Sequence, residues 1–418
     1  AMSQYGAAFS NVNFELGKQY IVQLTVVSCN DPSQIRVGGS SSATGYSQNI
    51  WASGDIGIGT HSKVYTPSQN NAYLAIGGRN DVTTLVIDNV SVKEVTRDNV
   101  PRIDYTGGGC PHILAEPQRT NEVTYSEDFT SWAQIQNTTL TANSTTSPSG
   151  ENDGTKFLST GTGAKVRENF SAVSGTTYTL SVYCKNIDAT SMRLLCYDGV
   201  NSFSHYFQSE VNTSTWTRIS LTFTAANTGS GQVQIARDLP DTQSAYFWGA
   251  QLEEGSYATS YIPTSGSTVT RNQDIFTRDG IGSLINSTEG VLFVEMAALA
   301  NDGTFRNISL NNGTTGQAVR IYYRNQANKI TVLIGSSSGA SVTIDVTDTL
   351  SFNKIAISYK VNDVRVFVNG SLEGTITSVA MPVGLNELAL DIANVLPFFG
   401  KVKQLQVYDT ALSDTQLA

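Results

Sequence analysis

Short apolar runs in which buried and exposed positions alternate make up most of the chain. Examples are Tyr20-Ile-Val-Gln-Leu-Thr-Val-Val27, Ala72-Tyr-Leu-Ala-Ile76 and Leu85-Val-Ile-Asp-Asn-Val-Ser-Val92. Turns rich in glycine and serine separate them, such as Gly38-Gly-Ser-Ser-Ser-Ala-Thr-Gly45. Period-2 alternation bounded by turn residues predicts strands, and no long stretch keeps the 3.6-residue spacing of a helix. The fold class is therefore all-β. One segment breaks the rhythm. Residues 97–121 hold Pro101, Gly107-Gly-Gly109, Pro111 and Pro117, a density that halts regular structure. Its apolar members Ile103, Tyr105, Ile113 and Leu114 predict a linker packed against the first and second domains. The domains are residues 1–96, the linker 97–121, then 122–267 and 268–418.

The middle domain repeats the first. Gly17-Lys-Gln-Tyr20-Ile-Val matches Gly175-Thr-Thr-Tyr178-Thr-Leu, Gln34-Ile-Arg-Val37 matches Met192-Arg-Leu-Leu195, and Leu85–Glu94 matches Ala245–Glu254. Before the shared region the middle copy spends residues 122–165 on further strands, with Phe129 and Trp132 as expected core plugs. The first copy has no counterpart before Phe9, so it reads as a sandwich truncated at its N-terminus with an open edge. The opening Ala1-Met2-Ser3 reads as a tag scar, lacking a basic or apolar leader region. The last domain runs through Gly290-Val-Leu-Phe-Val-Glu-Met296 and Lys329-Ile-Thr-Val-Leu-Ile334 to Val364-Arg-Val-Phe-Val-Asn-Gly370, whose Asn-Gly marks a hairpin turn.

Composition narrows the function. Charged residues are only 15% of the 418, the net charge is −9, and no run of Lys or Arg forms a basic patch. Nucleic acid is thus excluded as a partner, and no apolar run approaches the ~18 residues that suggest a membrane span. Four cysteines (Cys29, Cys110, Cys184, Cys196) are too sparse for a disulfide scaffold. Cys184 and Cys196, on successive strands, read as buried thiols, with a cross-strand disulfide as the alternative.

No active site is expected. His61, His112 and His205 lie in separate segments without metal-ligand spacing. Glu151-Asn-Asp153, the nearest approach to a pair of catalytic carboxylates, sits in a Ser/Gly-rich turn without a third acid. Binding is the better prospect, because sugar rings stack on aromatic faces. Trp132, Trp216 and Trp248 fall in strand or motif contexts and are expected in the core, whereas Trp51, among Gly and Ser, is a candidate for exposure. If Leu194 and Cys196 face the core, then Arg193, Leu195 and Tyr197 face outward. His205 on the next strand, with Arg237 and Asp238 ending a third, would complete a carbohydrate-binding face. Arg320, Tyr322 and Arg324 form a similar outward row in the last domain.

Several of these segments resemble known families. Phe352-Asn-Lys-Ile-Ala-Ile-Ser-Tyr359, Val366-Phe-Val-Asn-Gly370 and Gly400-Lys-Val402 through Val407-Tyr-Asp-Thr-Ala-Leu-Ser-Asp414 resemble the laminin G/concanavalin A-like jelly roll. The two earlier domains resemble carbohydrate-binding-module jelly rolls. Cys110-Pro-His-Ile-Leu-Ala-Glu-Pro-Gln-Arg-Thr-Asn121, Tyr125-Ser-Glu-Asp-Phe129 and Trp248-Gly-Ala-Gln-Leu-Glu-Glu-Gly255 are similar to segments common in phage tail and fibre proteins. The resemblance implies three tandem antiparallel β-sandwiches, and a non-catalytic glycan-binding, host-recognition role in a virion tail or fibre. Its partners would be cell-surface or extracellular polysaccharide and other tail subunits, with a homotrimer the common fibre arrangement. The alternatives are a purely structural virion piece and the binding region of a secreted polysaccharide-degrading enzyme. No cofactor is required. By analogy with the module family, a structural Ca²⁺ would be held by Glu127, Asp128, Asp153 and Glu254.

Overall fold

The structure, a computed structural model, describes all residues except 1–4, 17, 44, 80, 81, 83, 95–101, 106–109, 337 and 338. The turn glycine Gly17 and the linker residues Pro101 and Gly107–Gly109 lie outside the described residues. Apart from 3₁₀ turns and one short helix, α1 (Asp414–Leu417), the described elements are β-strands. They form two compact units, Ala1–Arg97 and Asp98–Ala418.

The first unit contains β1 (Tyr5–Phe14), β2 (Tyr20–Cys29), β3 (Ile35–Ser40), β4 (Gln48–Trp51), β5 (Gly59–Tyr65), β6 (Asn71–Arg79) and β7 (Leu85–Glu94). They form two antiparallel sheets, ordered β1-β6-β3-β4 and β5-β2-β7. Alternate residues Val22, Leu24 and Val26 of β2 meet Ile35, Val37, Leu74 and Ile76 in one core.

The second unit starts with β8 (Arg102–Asp104), β9 (His112–Ala115) and β10 (Arg119–Asn121). The middle sandwich follows, with β11 (Gln134–Gln136), β12 (Thr138–Thr145), β13 (Gly154–Ser159), β14 (Lys165–Ala172), β15 (Thr177–Asn186), β16 (Arg193–Tyr197), β17 (Ser202–Tyr206), β18 (Thr217–Thr224), β19 (Gly229–Arg237) and β20 (Ser244–Glu254). Its sheets are β11-β14-β19-β16-β17 and β12-β13-β20-β15-β18.

The repeat holds strand for strand. β14-β19-β16-β17 reproduces β1-β6-β3-β4, and β18-β15-β20 reproduces β5-β2-β7. Tyr20 lies opposite Tyr65 and Glu94, as Tyr178 lies opposite Phe223 and Glu254. Each tyrosine hydroxyl accepts a backbone N–H from five residues upstream, Glu15 at 2.8 Å and Val173 at 3.2 Å. Even the bulge recurs, with left-handed Asn89 (φ 51°) in β7 and Gly249 (φ 66°) in β20. One match shifts by a residue. Ile35 and Met192 both point into the core, so Arg36 corresponds to Arg193. A one-residue slip would exchange faces, and burial decides between the two alignments. The strands without counterpart in the first copy, β11 and β12-β13, flank the middle sandwich, and Phe129 and Trp132 plug its core.

The last sandwich contains β21 (Val269–Arg271), β22 (Thr277–Arg278), β23 (Glu289–Ala298), β24 (Arg306–Asn311), β25 (Ala318–Tyr323), β26 (Lys329–Ile334), β27 (Ala340–Asp345), β28 (Asn353–Lys360), β29 (Asp363–Val368), β30 (Ser371–Ile376), β31 (Glu387–Ala389) and β32 (Gly400–Tyr408). The Asn369-Gly370 hairpin forms as expected, both residues at positive φ (51° and 87°) between β29 and β30.

The linker behaves differently from expectation. Its β9 and β8 extend the sheet β30-β29-β28-β23-β32-β9-β8 of the last sandwich. Ala115 enters that core and Ile113 packs on it, while Ile103 and Tyr105 are 46% and 71% exposed. The backbone of β32 would otherwise be an open edge, and pairing it supplies the hydrogen bonds that a packed loop would lack.

The motif-like segments clasp one another. Asn121, fully buried, donates to the carbonyls of Ala250 and Ile262 and accepts from the N–H groups of Val123 and Leu252, using all four of its hydrogen-bonding positions. Glu116 pairs with Arg102 (2.6 Å) and Arg271 (3.2 Å), and Arg102 also meets Asp274. Buried Glu253 accepts from Gln251 and Thr259. These polar residues are cement between the linker, the middle sandwich and β21. All four cysteines are free. Cys184 and Cys196 sit in opposite sheets, where burial pushes both thiols up.

Candidate functional site

The outward face of β11-β14-β19-β16-β17 gathers most of the middle-domain candidates. Leu194 and Cys196 are buried, so Arg193, Leu195 and Tyr197 point away from the core, as the alternation predicts. On β14, buried Val166 and Phe170 leave Lys165, Arg167 and Asn169 outward. On β19, Gln232 and Gln234 take the same face. Gln134 and Gln136 of β11 stand opposite Arg167 and Lys165.

Arg237 reaches this face only through a bulge. Strict alternation from the core residue Ile235 would turn Arg237 inward. Two residues instead intervene against β16, where Leu195 pairs with Gln234 but Arg193 pairs with Arg237. Ala236 takes up the extra length at φ 53° and Asp238 follows at φ 66°. A non-glycine residue in this region costs about 1–3 kcal/mol. The side chains then interlock. Asp238 lies 2.8 Å from Arg193 Nε and 3.3 Å from Arg237 Nε. Arg237 Nη1 donates to the Gly163 carbonyl (3.4 Å), which sets it beside Lys165. Burial, reinforced by nearby Arg237 and Arg167, pulls the Lys165 ammonium below its ordinary pKa.

His205 does not join this face. It lies opposite Leu194, on the core side, and its Nε2 pairs with Glu210 at 2.6 Å. Its neighbour Tyr206 stands opposite Arg193, is 58% exposed, and has the guanidinium 5.1 Å from its ring centroid. The signal for Tyr206 was in the sequence. A tight turn at Asp198-Gly-Val-Asn201 fixes Tyr197 opposite Ser202, and counting outward reaches Arg193 and Tyr206. Asp198 holds that turn by accepting the N–H groups of Val200 and Asn201. Lys165 and Arg167 were also missed, because the basic group forms across strands and not along the chain.

The second candidate row lies on the sheet β22-β31-β24-β25-β26-β27. Ile308, Leu310, Val319 and Ile321 fill the core, so Asn307, Ser309, Arg320 and Tyr322 point the other way. Much of this face is engaged internally. Asn307 donates to the Leu396 carbonyl, Ser309 to that of Asp391, and Arg324 to Thr343. Arg320 is 7% exposed, has no carboxylate partner among the described residues, and lies 5.5 Å from the Tyr322 ring. Burial lowers its pKa.

With this geometry in place, comparison with known proteins assigns the last sandwich. Residues 292–418 match the laminin G model of the concanavalin A-like lectin/glucanase superfamily. The C-terminal domain is laminin G-like. No curated protein matches the chain. Among solved structures, the chain is similar to the carbohydrate-binding module CBM40 of the Ruminococcus gnavus IT-sialidase bound to α2,3-sialyllactose. The two are 17% identical, over 34% of this chain and 96% of that one, with a TM-score of 0.29. It is also similar to the leech intramolecular trans-sialidase in complex with 2,7-anhydro-Neu5Ac, 22% identical over 32% of this chain and 23% of that one, with a TM-score of 0.27.

Two expectations fail outside the middle face and the laminin G-like domain. Trp51 is buried (6% exposed) in the first core, so it offers no platform to a sugar. Its strand β4 pairs with β3 and turns the indole inward beside Ile50. Trp216, expected in the core, lies outside it, half-buried, with Nε1 donating to the Thr146 carbonyl. The carboxylates assigned to calcium are engaged separately. Asp128 caps the turn at Phe129–Ser131, which holds its carboxyl below the usual range. Glu127 accepts from the Tyr261 hydroxyl (2.9 Å), Asp153 accepts from Ser149 (3.2 Å), and Glu254 lies near Glu122. No group of three or more His, Cys, Asp or Glu among the described residues could hold a metal ion. The four do not fit a calcium cage.

Proposed function

We propose that this chain is a non-catalytic glycan-binding segment, acting in host recognition as part of a phage tail or fibre. The observation that carries the reading is the middle face, where amides (Gln134, Gln232, Gln234), guanidinium groups (Arg193, Arg237) and the exposed ring of Tyr206 lie together on one side of one sheet. Amides and guanidinium forks hydrogen-bond sugar hydroxyls, and a tyrosine ring takes the C–H face of a pyranose. The face suits binding without bond cleavage. Its carboxylate Asp238 is tied to two arginines, whereas glycoside hydrolysis asks for two carboxyl groups flanking the bond. The laminin G-like domain adds a lectin-type fold in tandem, and several weak modules on one particle would gain affinity by avidity. Virion location, a trimeric assembly and contacts with other tail subunits belong to the same proposal.

A glycan array probed with the intact chain tests it, followed by titration of the best ligand against Tyr206→Ala. Binding is expected to fall about tenfold in the variant, as loss of an aromatic contact worth ~1 kcal/mol or slightly more implies. Silence across bacterial and algal polysaccharides would favour a structural role instead.

A further inference from the structure

We infer that the middle face takes an acidic polysaccharide, whose carboxylate or sulfate groups sit on Lys165, Arg167, Arg193 and Arg237. The inference rests on the glycan-binding reading above and adds the chemical class of ligand.

The chain as a whole carries −9, yet these four cations meet on three adjacent strands of one sheet face. Arg167 stands opposite Gln234 in the β14–β19 ladder, and Arg193 opposite Arg237 in the β16–β19 ladder. Among the described residues Asp238 is the one carboxylate ion-paired to any of them, and it serves only Arg193 and Arg237. Lys165 and Arg167 have no acidic partner there. Glu168, the acidic residue of the same strand, points to the other side, where its carboxylate accepts the Ala133 N–H (3.0 Å).

Folding gains nothing from such a cluster. Like charges on neighbouring strands repel. Burial lowers the Lys165 pKa, and the nearby Arg237 and Arg167 lower it further. The bulge at Ala236 adds backbone strain that places one more cation, Arg237, on the face. An anionic ligand turns each of these costs into a charge-assisted hydrogen bond. Neighbouring strands are about 4.8 Å apart, and residues i and i+2 of one strand lie roughly 6.7 Å apart. The cations are therefore spread out and do not converge on a point. That spread suits acid groups repeated along a polymer, not one phosphate. Planar guanidinium forks match carboxylates two bonds at a time, and Tyr206, beside Arg193, supplies the stacking surface that distinguishes a sugar chain from any other polyanion.

The test uses the full chain, immobilised, against polygalacturonate, dextran sulfate, neutral dextran and duplex DNA, at about 50 and about 300 mM salt, with Lys165→Gln/Arg167→Gln as the variant. Both residues are partly exposed and outside the core, and matching circular dichroism and melting curves verify that the variant folds. Polygalacturonate or dextran sulfate should bind, dextran should not, salt should weaken binding several-fold, and the double variant should weaken it about tenfold or more. The preferred polymer tells carboxylate from sulfate. A neutral glycan bound equally well by parent and variant would overturn the acidic class and leave the glycan reading standing. DNA binding as tightly as either polysaccharide would overturn it as mere polycation attraction. Absence of binding to every glycan would overturn this inference together with the reading beneath it.

Discussion

The first and middle sandwiches share strand order and the bulge at Asn89 and Gly249, yet the β16–β19 ladder carries a second bulge that β3–β6 lacks, and the two present different faces to water. In the first, the outward positions of β1, β6 and β3 include Ala7, Phe9, Tyr73, the buried Gly38, Ala75 and Gly77, and one cation, Arg36. That arginine is already occupied, with Nε donating to Asn49 (2.6 Å) and Tyr46 stacked at 4.5 Å. In the middle copy the equivalent positions hold Lys165, Arg167, Gln232, Gln234, Arg193 and Arg237. A shared scaffold thus carries the cationic candidate site in one copy, and in the other small residues with one aromatic pair, Phe9 and Tyr73 (ring centroids 6.4 Å apart). The function belongs to side chains grafted on the fold and not to the fold itself.

The flanks differ as well. In β20, Ala250 is fully buried at the core-facing position that Val90 occupies in β7, where β11, β12 and β13 have no counterpart and Val90 is 43% exposed.

The largest effect should come from the clasp on the middle copy. Asn121→Ala removes four hydrogen bonds from a buried site and leaves backbone groups unpaired, so we expect a loss of about 3 kcal/mol or more. Chemical denaturation followed by tryptophan fluorescence measures it. A loss under ~1 kcal/mol would show that the clasp is incidental. Reciprocal substitutions on the flank come next. Ala250→Val should overpack the closed core at about 1–3 kcal/mol, whereas Val90→Ala at the open flank should cost less than about 1 kcal/mol. Equal costs by calorimetry would mean that the first copy is closed by something the repeat does not reveal.

Much of this organisation was legible in the sequence, for physical reasons. Tyr20 and Tyr178, the paired last strands and the Asn369-Gly370 turn are local signals, and strand periodicity with turn chemistry is decided locally. The core positions of Phe129 and Trp132 followed from the same patterns. What stayed hidden depends on register and long-range pairing. The bulge at Ala236 reverses Arg237 without any glycine to announce it. His205 and Tyr206 exchange roles over one residue. Trp51 sits among Gly and Ser yet faces inward. The linker joins β32, far along the chain, and no local signal in 97–121 names that partner.

A smaller effect distinguishes the linker's docking site from the rest. Burial outweighs the attraction of Asp104, 3.3 Å away, and holds the His112 pKa below its ordinary 6.5. The folded pKa is depressed, so the unfolded chain binds the proton first. Stability is fully present above about pH 6.5 and is lost as pH falls through the folded value. The melting temperature of the unit that contains His112 should therefore drop between pH 7 and pH 5, and His112→Gln should flatten that drop. A slope unchanged by the substitution would place the titrating group elsewhere.

The central claim is that ligand binding resides on the outward face of the middle copy and not on its counterpart in the first. Isothermal titration of the best array ligand into three chains tests it directly: the parent, Arg193→Ala/Arg237→Ala, and Arg36→Ala. The account predicts that the double variant loses affinity at least about tenfold while Arg36→Ala binds as the parent does. Full affinity in the double variant, or a comparable loss in Arg36→Ala, would contradict it.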